Sequence, residues 1–144
     1  KVVDALQTMI SKTEIHIIAT SLVSEERINH LRQRGCITHI NVPAEEVAGL
    51  FDKCEAAILS TSTVTIEALS RGIPVYAGYY VDNQYKFCNY LTDKGYINSL
   101  GCLLDEGMTE RLKVLIQAGI KGNNRIPVDL FASKDKYIKL FQSI

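Results

Sequence analysis

Apolar runs in this chain are short and interrupted by charge, so no transmembrane helix fits, and the amino terminus carries no signal-peptide pattern. These absences lead to the expectation of a soluble, cytoplasmic domain. Charge of one sign is not in excess: 16 Lys+Arg stand against 16 Asp+Glu, with no basic tract and no aromatic-basic interleaving. Nucleic acid is therefore not expected as a partner. The cysteines Cys36, Cys54, Cys88 and Cys102 form no CxxC pair, and no histidine stands at zinc-finger spacing. Buried free thiols in a reducing compartment explain them. Catalytic spacing is missing too, since His16 and His39 fall in strand candidates and His30 on a helix. All three read as structural. With no Ser-His-Asp arrangement, metal-ligand cluster or paired carboxylates, the chain is expected to hold a binding site and no complete catalytic apparatus. No cofactor is called for.

What is present suits one globular domain: 144 residues, 47% hydrophobic, with 9 glycines. Val2, Val3, Leu6, Met9 and Ile10 predict an amphipathic helix from Lys1 to Ser11. An α/β domain normally opens with a strand feeding its first helix, so further chain is expected upstream. Ile15 to Ala19 reads as a strand, Ser24 to Arg34 as a polar helix capped by Ser24 and ended at Gly35, and Ile37 to Ile40 as a strand. Pro43 opens a helix with Val47, Leu50 and Phe51 inward. Later come a helix with Asp82 as N-cap, carrying Phe87, Tyr90 and Leu91 and ending near Gly95, and a short strand near Tyr96-Ile97. Met108 to Ala118 forms another helix, and a last one follows Pro127 through Val128, Phe131, Tyr137, Leu140 and Phe141. Strands alternating with helices predict an α/β fold, a Rossmann-like doubly wound parallel sheet.

The stretch from Ala57 to Gln84 organises the rest. Ala56 to Leu59 is a strand, Ser60-Thr61-Ser62-Thr63 breaks it, a helix starts at Ser62 or Thr63 and stops at Gly72, and Pro74 to Ala77 is the next strand. Its helix amino terminus lies at the carboxyl edge of a parallel strand, where open α/β sheets bind ligands. Free N–H groups and the hydroxyls of Ser60, Thr61, Ser62 and Thr63 suit a phosphate, although a well-capped helix is the plainer account of them. Glu67 follows Val64 by three residues, so it closes no capping box. Its carboxylate suits a vicinal diol, and the plainer account is a solvated helix glutamate. Asp82-Asn83-Gln84, beside Tyr79 and Tyr80 in the loop from Gly78 to Val81, suits sugar hydroxyls and amides, or simply a helix cap.

The run from Phe51 to Ser60, the segment Thr63 to Gly72 with Glu67, and Asp82-Asn83-Gln84 together resemble the carboxyl-terminal half of GT-B nucleotide-sugar enzymes, nearest the PseG-like UDP-sugar hydrolases of pseudaminic-acid biosynthesis and related to the MurG-type glycosyltransferases. The resemblance spans about Ile15 to Leu104. It implies one nucleotide-sugar-binding domain over residues 1–144, with a UDP-sugar and an amino-terminal catalytic domain of the same protein as partners. It implies further that Glu67 holds the ribose diol, that Ser60, Thr61, Ser62, Thr63 and Val64 meet the diphosphate, that Asn41-Val42 meets uracil, and that Tyr80, Asn83 and Gln84 face the sugar. Ser62-Thr63 stands where many members carry a glycine pair. Two rivals remain: the donor-binding half of a glycosyltransferase, and a non-catalytic nucleotide-sugar module fused to another sugar-pathway enzyme.

Overall fold

The computed structural model describes residues 2–10 and 13–119. Over these residues helices and strands alternate: α1 Val2–Met9, β1 His16–Ala19, α2 Glu25–Gln33, β2 Ile37–Ile40, α3 Ala44–Phe51, β3 Ala57–Ser60, α4 Thr63–Ser70, β4 Val75–Tyr79, α5 Asp82–Asp93, β5 Asn98–Cys102 and α6 Met108–Gln117. The expected helix after Pro127 lies outside the described residues. Every strand pairing is parallel, but the strands form two sheets, β1-β2 and β3-β4-β5. The molecule is therefore a mixed α/β protein with parallel sheets. One continuous sheet was expected; among the described residues β1 and β3 are not paired.

Side-chain alternation on β3 and β4 gives the three-stranded sheet two covered faces. Ala57, Val75 and Ala77 point to a cluster with Phe51 of α3, Ala68 and Leu69 of α4, and Cys88 and Leu91 of α5. Tyr76 points the other way, to Leu100, Ala5 of α1, and Met108 and Leu112 of α6, with Ile58 packed alongside. Helices thus cover both faces of this sheet, consistent with a Rossmann-like arrangement, while its strand order runs one way, β3-β4-β5, with the connecting helices α4 and α5 on one face. No helix of the described residues is long and apolar enough to cross a membrane.

Several boundaries differ from expectation for local reasons. The helix after β4 ends through the turn expected, with Gly95 at φ 66° and the Tyr96 N–H donating to Leu91 O at 2.9 Å. That closure carries Tyr96 and Ile97 out of the helix but not yet into the sheet. Strand pairing begins at Asn98 opposite Tyr76, so β5 lies later than the predicted Tyr96-Ile97 strand. Strand β4 in turn runs on to Tyr79, shortening the predicted Gly78 to Val81 loop to two residues. Val81, not Asp82, is then the N-cap of α5, and Asp82 sits in its first turn. Tyr90, expected on the inner face, is 53% exposed, because Phe87, Cys88 and Leu91 fill that face.

Histidines 16 and 39 join β1 to β2. Nδ1 of His16 meets Nε2 of His39 at 3.0 Å, with Glu14 beside the outer nitrogen of the first at 3.8 Å and Glu46 beside that of the second at 3.5 Å. The four side chains form one polar chain across the two strands. His30 is exposed on α2. All four cysteines are free; Cys36 and Cys88 are buried, whereas Cys54 and Cys102 are half-buried, and burial pushes the Cys54 thiol up.

Candidate functional site

Strand β3 ends at Ser60, and the next three residues turn the chain into α4. Thr61 is 1% exposed, and both its N–H and its hydroxyl donate to the Gly78 carbonyl of β4 at 2.7 Å. Its hydroxyl is thus committed to the fold, donating inward to β4. Ser62 is the N-cap of α4, and its N–H donates to Thr65 Oγ1 at 3.4 Å while that hydroxyl donates to Ser60 O at 2.9 Å. Thr65, fully buried, does for this turn what an acid does in the usual capping box. A threonine three residues after the cap, where the ordinary pattern has Glu or Gln, carries no capping-box signal in the sequence.

These bonds leave the outer side of the turn open. Among the described residues the N–H groups of Thr63 and Val64 have no acceptor, as the first turn of a helix dictates. Thr63 is exposed, Ser60 and Ser62 are half-buried, and Val64 is half-buried against the core. Glu67 is exposed, one turn beyond Thr63 on the same side of α4, and its carboxylate makes no hydrogen bond or ion pair among the described residues. The turn so offers two backbone donors and the hydroxyls of Ser60 and Thr63, that of Ser62 donating to Ser60 O at 3.4 Å, with a carboxylate one turn away. That set can hold an oxyanion at the helix end and a diol beside it.

The other predicted residues lie on neighbouring turns. The loop after β4 is drawn in by Gln84, whose Oε1 accepts from the Tyr80 N–H at 3.2 Å; the side-chain oxygen is occupied, leaving its amide N–H groups. Asn83 is exposed on the first turn of α5, and Tyr80 is 49% exposed. Tyr79 packs edge-on to Tyr85, with centroids 5.1 Å apart, and desolvation pushes its phenol up, with further upward pressure from Cys102. Asn41 follows β2 with φ 52°, a left-handed conformation that asparagine tolerates. Its Oδ1 accepts from the Ser21 N–H at 2.8 Å and its own N–H donates to Ala19 O at 3.0 Å, while Val42 is half-buried. Ser60 to Glu67 and Tyr80 to Gln84 thus follow the carboxyl ends of two neighbouring strands, β3 and β4. Asn41-Val42 sits at the carboxyl end of the other sheet.

Two supports were not legible beforehand. Gly78 is buried beside the Ala77/Gly78 register shift against β5, where an added Cβ would stand 2.4 Å from Gly101 O and 2.7 Å from Leu103 Cδ2. Arg111 of α6 donates to Leu100 O at 2.8 Å, Cys102 O at 3.2 Å and Asp105 at 2.9 Å, clamping the turn after β5. The Gly107 N–H and the Arg111 guanidinium together lower the Asp105 carboxyl below its ordinary range. Open depressions lie along α2, lined by Ser24, Arg27 and His30, and between α1 and α6; neither reaches the Ser60 turn.

A Thr61→Val substitution separates scaffold from ligand contact. It keeps the shape and removes the donor, so stability should fall by about 1–2 kcal/mol while affinity for a ligand of the turn stays the same. Thermal unfolding alongside a binding titration reads both; lost affinity at unchanged stability would return Thr61 to the ligand.

No family model, no curated protein and no solved structure matches the chain.

Proposed function

We propose that this domain binds the UDP part of a nucleotide sugar, as the carboxyl-terminal half of a GT-B enzyme of the PseG-like UDP-sugar hydrolase kind acting in surface-glycan biosynthesis. The observation that carries the reading is the turn from Ser60 to Val64, where among the described residues the N–H groups of Thr63 and Val64 at the carboxyl edge of β3 and the carboxylate of Glu67 one turn further on have no partner. Diphosphate oxygens suit the helix end, where positive partial charge and free donors coincide. The ribose diol suits Glu67, since one carboxylate accepts from both hydroxyls. Tyr80, Asn83 and the free amide of Gln84 extend the same edge toward the sugar, and Asn41-Val42 serves the base. In this reading hydrolysis is carried out with a second domain that supplies the base for water, while this domain grips UDP.

Titration calorimetry tests the binding step. The chain should bind UDP more tightly than CMP or ADP, and weakly in absolute terms because one wall of a cleft is at hand. No heat with UDP at millimolar ligand, or equal affinity for the three nucleotides, would reject the reading.

A further inference from the structure

We propose that one more β-strand, parallel to its neighbours and belonging to the polypeptide directly ahead of α1, inserts between β1 and β3 and joins the two sheets. The backbone shows where it would pair. In β1, the carbonyls of Ile15 and Ala19 accept from the Ile37 and Asn41 N–H groups of β2. Parallel ladders alternate, so the backbone groups of His16 and Ile18 point to the opposite edge. In β3, the N–H groups of Ala57 and Thr61 donate to Pro74 O and Gly78 O of β4, which leaves those of Ile58 and Ser60 on the far edge. Neither edge has a strand partner among the described residues.

Open edges are normally protected by lysine, proline or a bulge. His16-Ile17-Ile18-Ala19 and Ala57-Ile58-Leu59-Ser60 hold no lysine or proline, and the one register shift lies between β4 and β5. Such apolar runs belong to interior parallel strands. Yet Ile18 is 43% and Ile37 38% exposed.

Chain direction names the occupant. Helix α1 packs through Ala5 on the face of Tyr76, Leu100 and Leu112, beside Ile58 of β3. Its Asp4 and Gln7 bind Arg34 at the end of α2, so it bridges both sheets. It then feeds β1. A strand in the gap that ran parallel to β1 would end where α1 begins, completing a β-strand, α1, β1 unit of the ordinary right-handed kind. Apolar side chains on both faces would suit it, with α1 on one side.

The test fuses Val-Ile-Val-Leu-Val and a Gly-Gly-Ser turn ahead of Val2 in the chain, with a control in which alternate strand residues are proline. Amide exchange by NMR should slow about tenfold or more at His16, Ile18, Ile58 and Ser60, and the Tm should rise by several degrees, in the fused chain and not in the proline control. Light scattering should show a monomer. If the fused chain is insoluble, the same strand added as a free peptide must protect the same amides. Amides already protected in the unextended chain, equal effects of both extensions, no protection from strand or peptide, or a dimer pairing its own open edges would each overturn the proposal.

Discussion

Replacing Gly78 with alanine should remove about 3 kcal/mol of stability, the upper end of what forcing an extra carbon into a packed interior costs. The clash would be with backbone: the new Cβ would meet Gly101 O at 2.4 Å, and a carbonyl in a paired strand cannot rotate aside as a side chain can. To relieve it, β4 and β5 must separate around the register shift between Ala77 and Gly78, which also displaces Leu103. The effect should reach the proposed site, because the Gly78 carbonyl accepts both donors of Thr61 and so anchors the turn ahead of α4. Chemical denaturation is the measurement. A loss within about 0.5 kcal/mol of zero, the range of an inconsequential surface change, would mean that the strands are not this close.

Glu67→Gln should act the other way round, on binding and not on folding. The substitution keeps the shape and removes the charge. If the carboxylate holds the ribose diol, UDP binding should weaken by roughly 1–3 kcal/mol, the scale of a charge-assisted hydrogen bond. Stability should hardly move, since the side chain is exposed and makes no hydrogen bond or ion pair among the described residues. Deoxyuridine diphosphate supplies the internal control, as it should bind mutant and wild type almost equally. Calorimetry with both nucleotides and a melting curve for each protein complete the test. A lowered Tm with intact UDP affinity would make Glu67 a structural residue and leave the diol without its partner.

Local chemistry made most of the elements legible in advance. Serine before a polar helix, glycine after it and short apolar runs between them act within a few residues of themselves, and α1 to α6 and the first four strands stand close to where those signals put them. The turn at Ser60 to Thr63 belongs to this class, because a run of hydroxyls cannot continue a buried strand and suits a cap. The exposure of Glu67 follows equally from its spacing, with Ala68 and Leu69 taking the buried side of α4.

Tertiary structure alone decided what depends on partners far away in the chain. Whether the Thr61 hydroxyl faces a ligand or the fold turns on the Gly78 carbonyl, 17 residues later. The run of β4 on to Tyr79 turns on its pairing with Gly101 and Cys102 of β5 across a register shift, which no pattern within either strand reveals. Arg111 looks like any amphipathic-helix arginine until the turn after β5 comes within reach of its three donors. That β1 and β3 are not paired among the described residues is likewise invisible in the sequence, since hydropathy says that a strand is buried but not which strand lies beside it.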